Sequence, residues 1–343
     1  MINGMQLWLG VAVIIMLGIP LLYLRMFHVS VPRILKRFQV SKSTLFNMRF
    51  PIILSAFLNG NNYVILPIIK FDRIRSFLGE FDPYYRGFAY EGAGMGFAAR
   101  ASLWLNKGKR FEYYIQNLDA NYLYQYYVGL GWWLHTRYRY RYDGYVKWLK
   151  TLDPRYASIV FDGVGFKSAL FEYPVNPLSY QKFDHFPLAY RRVCLQGFGR
   201  GLWFAKQFQI NETVSAIEQM PAACQQDVYS GLGLAIAYSF FDQLPVAEKA
   251  LQHIPRSGLA AFHQGLAFGL EARKLQNERY WMEQLASFQH DISDGARWYV
   301  ERVHEAKKMI ENISNDKIPY YIKWMDEARV LLDNKGYWKK GGV

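Results

Sequence analysis

A Gly-x-Gly pair recurs along the chain at Gly92/Gly94, Gly129/Gly131, Gly163/Gly165, Gly197/Gly199 and Gly231/Gly233. A degenerate copy at Gly265 carries Ala267 in the second position, and the first glycines are spaced 37, 34, 34, 34 and 34 residues apart. A repeat of this length marks stacked supersecondary units, none of which can bury its apolar face alone. Each copy reads as a helical hairpin. In the stretch from Asp227 to Pro255, small residues Gly231, Gly233, Ala235 and Ala237 punctuate a first helix. Asp242 and Pro245 then mark a turn, and a second helix stops at Pro255. Asp153-Pro154 and Asn176-Pro177 punctuate other copies in the same way. Glycine inside a helix costs about 1 kcal/mol relative to alanine. Glycines repeated at one phase therefore imply that a neighbouring helix approaches very closely there. Gly60, 32 residues before Gly92, suggests an earlier, atypical copy.

The layout resembles tetratricopeptide repeats, in which a small residue on the first helix lets the hairpin close. The predicted fold is all-α: a single N-terminal transmembrane helix followed by a tetratricopeptide-like α-solenoid. Residues 50–275 form the hairpin repeats, 276–335 a C-terminal helical cap with a polar outside, and 336–343 a basic tail. A phosphate-cradling loop is the competing reading of Gly-x-Gly, but that needs a preceding β-strand. The nearest match, Gly92-Ala-Gly94-Met-Gly96, follows Arg86-Gly-Phe-Ala-Tyr-Glu91 and is one of a helical series.

Charge is unevenly spread. Lysine and arginine number 41 against 28 aspartates and glutamates, yet residues 1–71 hold seven bases and no acid. A nucleic-acid binder distributes its positive charge over the folded part, so no nucleic-acid partner is expected. From Met1 to Leu24 no side chain ionises, and Leu7–Leu24 is apolar apart from glycines and Pro20. That length suits a bilayer core of about 30 Å, so 1–25 is read as a retained anchor, not a cleaved signal peptide. Residues 26–49 then form a basic juxtamembrane segment, with Arg25, Arg33, Lys36 and Arg37 against anionic lipid. The same charges place the repeats on the cytoplasmic side of a bacterial-type inner membrane. The apolar stretch Pro51–Phe71, interrupted by Asn59-Gly60-Asn61-Asn62, is read as core.

Catalytic motifs are few. The seven histidines form no His-Glu-x-x-His pair, and Glu301-Arg-Val-His304 is a lone Glu-x-x-His on a solvated helix face. No Gly-x-Ser-x-Gly elbow occurs, Cys194 lies in an apolar helix as a buried thiol, and no cofactor motif is evident. Arg137-Tyr-Arg-Tyr-Arg-Tyr142 alternates cation and aromatic as a single-strand nucleic-acid contact would, but falls in an interhelical loop and is read first as a solvated stretch, then as a membrane-surface or partner-binding one. The residues before each first glycine are Glu91, Val128, Asp162, Gln196, Ser230 and Gln264; four residues later come Met95, Trp132, Phe166, Arg200, Leu234 and Phe268. Positions i and i+4 share a helix face, so stacking turns both series into ladders. From these, Glu91, Trp132, Asp162, Phe166, Gln196, Arg200 and Gln264 are the candidate ligand- or partner-binding residues. They either line a groove or satisfy one another, with Glu91 or Asp162 paired to Arg200.

The segments RGFAYEGAGMGFA (86–98), GLGWWL (129–134), LDPRYASIVFDGVGF (152–166), QGFGRGLWF (196–204) and SGLGLAIAYS (230–239) resemble signature segments of the UnbL-type family. That family has unknown function and is found with enediyne polyketide biosynthesis genes. The resemblance implies a part in maturing a polyene-derived natural product. It also implies two partners, an integral membrane vitamin-K-carboxylase-like protein and an UnbV-type β-propeller protein. A scaffold or substrate-holding subunit is the expected role. The alternatives are an enzyme acting on a long apolar substrate and a generic peptide-binding adaptor.

Overall fold

The computed structural model describes residues 18–38, 43–66, 69–311, 318–333 and 336–338. These residues are all-helical, with no strand among them. Long first helices alternate with shorter second ones: α1 (Thr44–Val64), α2 (Phe71–Gly79), α3 (Pro83–Ala101), α4 (Lys107–Gln116), α5 (Leu123–Tyr138), α6 (Tyr142–Leu149) and α7 (Val160–Phe171). The series continues with α8 (Leu188–Ala205), α9 (Ile210–Glu218), α10 (Ala222–Ser239), α11 (Pro245–Leu251), α12 (Leu259–Gln276) and α13 (Glu278–Ala286). Between α7 and α8 the second helix is reduced to the 3-10 segment Ser179–His185. Two further helices follow, α14 (His290–Glu311) and α15 (Tyr320–Leu332).

Local chemistry sets the ends. Ser43 caps α1 by accepting from the Phe46 amide, and Asp82 caps α3 by accepting from the Tyr84 amide, with Pro83 in the first turn. The first helices are buried on nearly every side, as in α7, whereas α4 or α9 buries one stripe. The long helices α1, α3, α5, α7, α8, α10 and α12 therefore stack as one inner layer, each against the next, with the short helices outside.

The glycine pairs explain the stacking. A Cβ on Gly129 would overlap the carbonyl of Glu91 in the preceding long helix, and one on Gly131 would overlap the carbonyl of Val160 in the following one. The same alternation holds for Gly163/Gly165 against Val128 and Cys194, and for Gly231/Gly233 against Gln196 and Phe262. The first glycine of each pair thus admits the helix before it, and the second admits the helix after it. Gly60 abuts the carbonyl of Ala89 in the following helix, so it is the second glycine of its copy, 34 residues before Gly94. The first-glycine position of that copy is held by Leu58. At the other end Ala267 replaces the second glycine of the last repeat helix.

The layer curls until its ends meet. Arg49 of α1 donates to both carboxylate oxygens of Asp242 (2.7 and 2.9 Å) and to the Ser239 carbonyl (3.0 Å) at the end of α10. Arg273 of α12 donates to the Tyr84 carbonyl of α3 (2.8 Å), and Phe50 meets Phe204 of α8 at 5.8 Å between rings. α15 lies across the closed turn, with the Tyr321 hydroxyl donating to Gln196 (2.7 Å) and Arg329 paired to Asp227 (2.7 Å).

The structure corrects the expected single-pass anchor and, with it, the membrane location. Among the described residues no helix is long and apolar enough to cross a membrane. Residues 1–17 of the expected span lie outside the described residues. The described remainder is a helix over 18–25. Of its apolar side chains Leu24 is fully buried and Tyr23 meets Phe27, which meets Trp133 at 4.6 Å, while Ile19, Leu21 and Leu22 are exposed. The basic segment behind it, with Arg33, Lys36 and Arg37, runs through the short helix Val31–Leu35 and a 3-10 turn, Lys36–Phe38. It forms a strap over the inner layer. Asn62 of α1 pins it, accepting from the Val29 amide (2.9 Å) and donating to the Val29 carbonyl (2.7 Å).

Candidate functional site

Inside the curl, the two ladders become two different places. Glu91 of α3, Asp162 of α7 and Arg200 of α8 converge, all three buried. Arg200 donates to Asp162, lies 3.6 Å from Glu91 and covers the Phe166 ring at 4.8 Å. Two carboxylates share one guanidinium. Burial pushes the Glu91 carboxyl up to about 7 against the pull of Arg200, with Asp162 adding to the rise. Burial also raises Asp162, and Arg200 opposes it. Near neutral pH Glu91 therefore shares its site with a proton, which removes the excess negative charge. The cluster borders a small cavity of about 50 Å³, also lined by Gln125, Tyr238, Phe268 and Tyr321. That is room for water and too little for an organic ligand.

Further along the ladder, Gln196 donates to the Ser230 hydroxyl (2.8 Å), which donates to Gln264 (2.7 Å). Arg329 and Tyr321 of α15 terminate this chain on Gln264 (3.1 Å) and Gln196 (2.7 Å). These polar residues satisfy one another across adjacent long helices, and backbones held close by glycine make such short side chains reach.

The second place is an open cleft of about 440 Å³ between the strap and the helices α1, α3, α5 and α7. Phe57, Met95, Trp132 and Phe171 make its apolar wall. Trp132 packs against Phe57 (4.6 Å), Phe166 (5.5 Å) and Phe171 (5.9 Å), which fixes its indole in place. Of the ladder, then, Met95 and Trp132 reach the cleft, Phe166 backs it, and Glu91, Asp162 and Arg200 face the small cavity.

One end of the cleft is polar. His135 and Thr136 of α5, Lys167 of α7, and Arg139 and Glu172 just beyond those helices gather there, and Arg37 of the strap also lines the cleft. His135 is 3% exposed, and neither ring nitrogen has a hydrogen-bond partner; Nε2 lies 3.3 Å from Glu172 without the alignment of a bond. Burial, then Lys167, Arg139 and Lys182, hold the imidazole well below its usual pKa and keep it neutral. Lys167 donates to the Thr136 hydroxyl (2.5 Å); burial and then Arg139 lower its amine to about 8, with Glu172 opposing. Glu172 accepts from Lys182 (2.9 Å) and from the Tyr140 hydroxyl (2.9 Å).

Neither His135 nor Lys167 stands out in the sequence by motif. The available signal was Lys167 itself, a cation in the apolar run Val164–Leu170, one residue after a ladder aromatic. The Arg137–Tyr142 stretch contributes structurally: Tyr140 meets His135 at 4.9 Å, and Tyr142 packs beside Tyr190 at 6.0 Å.

The chain belongs to a family described as a protein of unknown function (DUF1702), whose profile matches residues 25–328. No curated protein matches it. No solved structure does either.

Proposed function

We propose that this member of a family of unknown function is a ligand-holding protein. It carries a long, unsaturated apolar molecule in the cleft between the strap and the long helices. The observation that carries this is the cleft itself: about 440 Å³, walled by Phe57, Met95, Trp132 and Phe171, and polar at one end. Sites for small organic ligands are concave, largely apolar and furnished with a few placed polar groups, within about 300–1,000 Å³. The resemblance of the five glycine-bearing segments to the UnbL-type family supports a polyene-derived, enediyne-like product as the cargo. On that reading the protein works beside the vitamin-K-carboxylase-like and UnbV-type β-propeller proteins, as a holding or scaffolding subunit.

A second reading, in which the chain itself transforms the ligand, has one observation in its favour. A neutral, buried His135 beside Lys167 and Glu172 is the material of proton transfer. The test is common to both. The purified protein is titrated with a fluorescent conjugated tetraene, cis-parinaric acid, and the bound probe is followed for chemical change. Saturable binding that Leu58→Trp abolishes by filling the cleft is the expected result. Binding indifferent to that substitution refutes the holding role, and catalytic turnover by the chain alone favours the second reading.

A further inference from the structure

The polar end of the cleft carries an excess of positive charge. Lys167 and Arg139 stand there against the single carboxylate of Glu172, which Lys182 and the Tyr140 hydroxyl already engage, and Arg37 adds a further cation to the cleft lining. Among the described residues neither Arg37 nor Arg139 makes an ion pair, and Lys167 has the Thr136 hydroxyl as its hydrogen-bond partner. Arg139 also holds an unusual backbone. Its φ of 52° lies in the left-handed region, which costs a non-glycine residue about 1–3 kcal/mol and persists where the surroundings over-determine it. Here its amide donates to the His135 carbonyl (3.0 Å) and its carbonyl accepts from the Tyr145 hydroxyl (2.5 Å), so the turn is fixed from both sides. The buried His135 ring also lines the cleft; neither nitrogen makes an aligned hydrogen bond, and Nε2 lies 3.3 Å from Glu172. The Trp132 indole N–H on the same wall is also buried without a partner. A polar group entering the cleft would find these atoms free of aligned hydrogen bonds.

We propose that the cleft's ligand is an anionic amphiphile, a long chain ending in one carboxylate. The carboxylate lies between Lys167 and Arg139 within reach of His135, and the chain lies along Trp132, Phe57 and Met95. This rests on the holding role proposed above and adds the chemistry of the ligand's head. A guanidinium matches a carboxylate with two parallel N–H donors, and the Lys167 ammonium adds a point charge beside it. The neutral imidazole supplies a donor without competing for the charge. The apolar wall recognises length and the cations recognise the terminus, so an uncharged chain of equal length binds more weakly.

The experiment compares cis-parinaric acid with its methyl ester, which has the same chain and chromophore without the charge. Both are titrated into the full chain, wild type and Lys167→Gln/Arg139→Gln, with far-UV circular dichroism confirming that the variant folds. The expected result is that the wild type prefers the acid by roughly tenfold to a hundredfold. In the variant that preference falls below about threefold, while the ester binds as before. If acid and ester bind the wild type equally, the anionic head is wrong and the apolar cleft stands. If neither binds, the holding role fails with it. The wild-type comparison decides the matter even if the variant does not fold.

Discussion

Replacing Gly231 by alanine tests the packing logic of the inner layer at one atom. The added methyl would overlap the Gln196 carbonyl of α8 and press on the Arg200 amide. Propensity alone predicts a gain of about 1 kcal/mol, because glycine is poor in a helix interior. Overpacking a core costs about 1–3 kcal/mol when a side chain can yield. Here the neighbour is helix backbone, which cannot rotate away, so the cost lies at about 3 kcal/mol or above. The net is a loss of about 2 kcal/mol or more, a few degrees in melting midpoint for a chain of this size. Two companions fix the scale. Gly79→Ala, at the end of α2 with nothing within 4 Å of the new methyl, gains about 0.4–1 kcal/mol. Ala267→Gly, where the second glycine of the last copy is absent, loses about 1 kcal/mol through propensity. Urea and thermal unfolding followed by circular dichroism give all three. If Gly231→Ala unfolds at or above the Gly79→Ala midpoint, the close approach that organises the fold does not exist.

Arg200→Met strands two buried carboxylates and is expected to cost about 3–5 kcal/mol in urea unfolding at pH 7, and less at pH 5 where they take up protons. Glu91→Gln acts on the pH profile. The folded carboxyl, near 7 against its ordinary 4.5, keeps a proton that the unfolded chain loses, so wild-type stability falls as pH rises through that window. The variant flattens the decline, by up to about 3 kcal/mol at pH 8; an unchanged slope removes Glu91 as its source. Arg49→Met breaks the tie between α1 and Asp242 and is expected to cost about 2–4 kcal/mol. It also opens the curl to limited proteolysis near Ser239, and a wild-type digestion pattern counts against the tie.

The repeat was legible because helix packing writes its closest contacts as glycine, at a spacing that needs no partner to be recognised. The phase of the first copy was not. Gly60 pairs in register with Gly94, and only the identity of the helix it touches separates a first glycine from a second. The ladder residues were legible as ladders for the same geometric reason, and the Gln196–Ser230–Gln264 chain follows them rung by rung. Closure of the curl lay beyond local reasoning, since Arg49 and Asp242 stand 193 residues apart. Closure is also what divides one expected groove into a small charged cavity of about 50 Å³ and a wider cleft of about 440 Å³. The apolar N-terminal stretch shows the limit of composition. Within one short helix Leu24 is fully buried while Ile19 and Leu22 are exposed, and apolar character alone does not say which side chain meets protein. His135 and Lys167 were missed because their significance is spatial, arising where the ends of α5 and α7 meet the strap.

Photolabelling most directly tests the claim that the cleft is the binding site. A long-chain carboxylic acid bearing a mid-chain diazirine is irradiated with the full chain, and the adducts are mapped by peptide mass spectrometry. The account predicts adducts concentrated on Val29, Leu54, Leu58, Met95 and Trp132, suppressed by excess cis-parinaric acid. Adducts spread over exposed outer residues such as Trp104 and Leu105, and unmoved by the competitor, would contradict it.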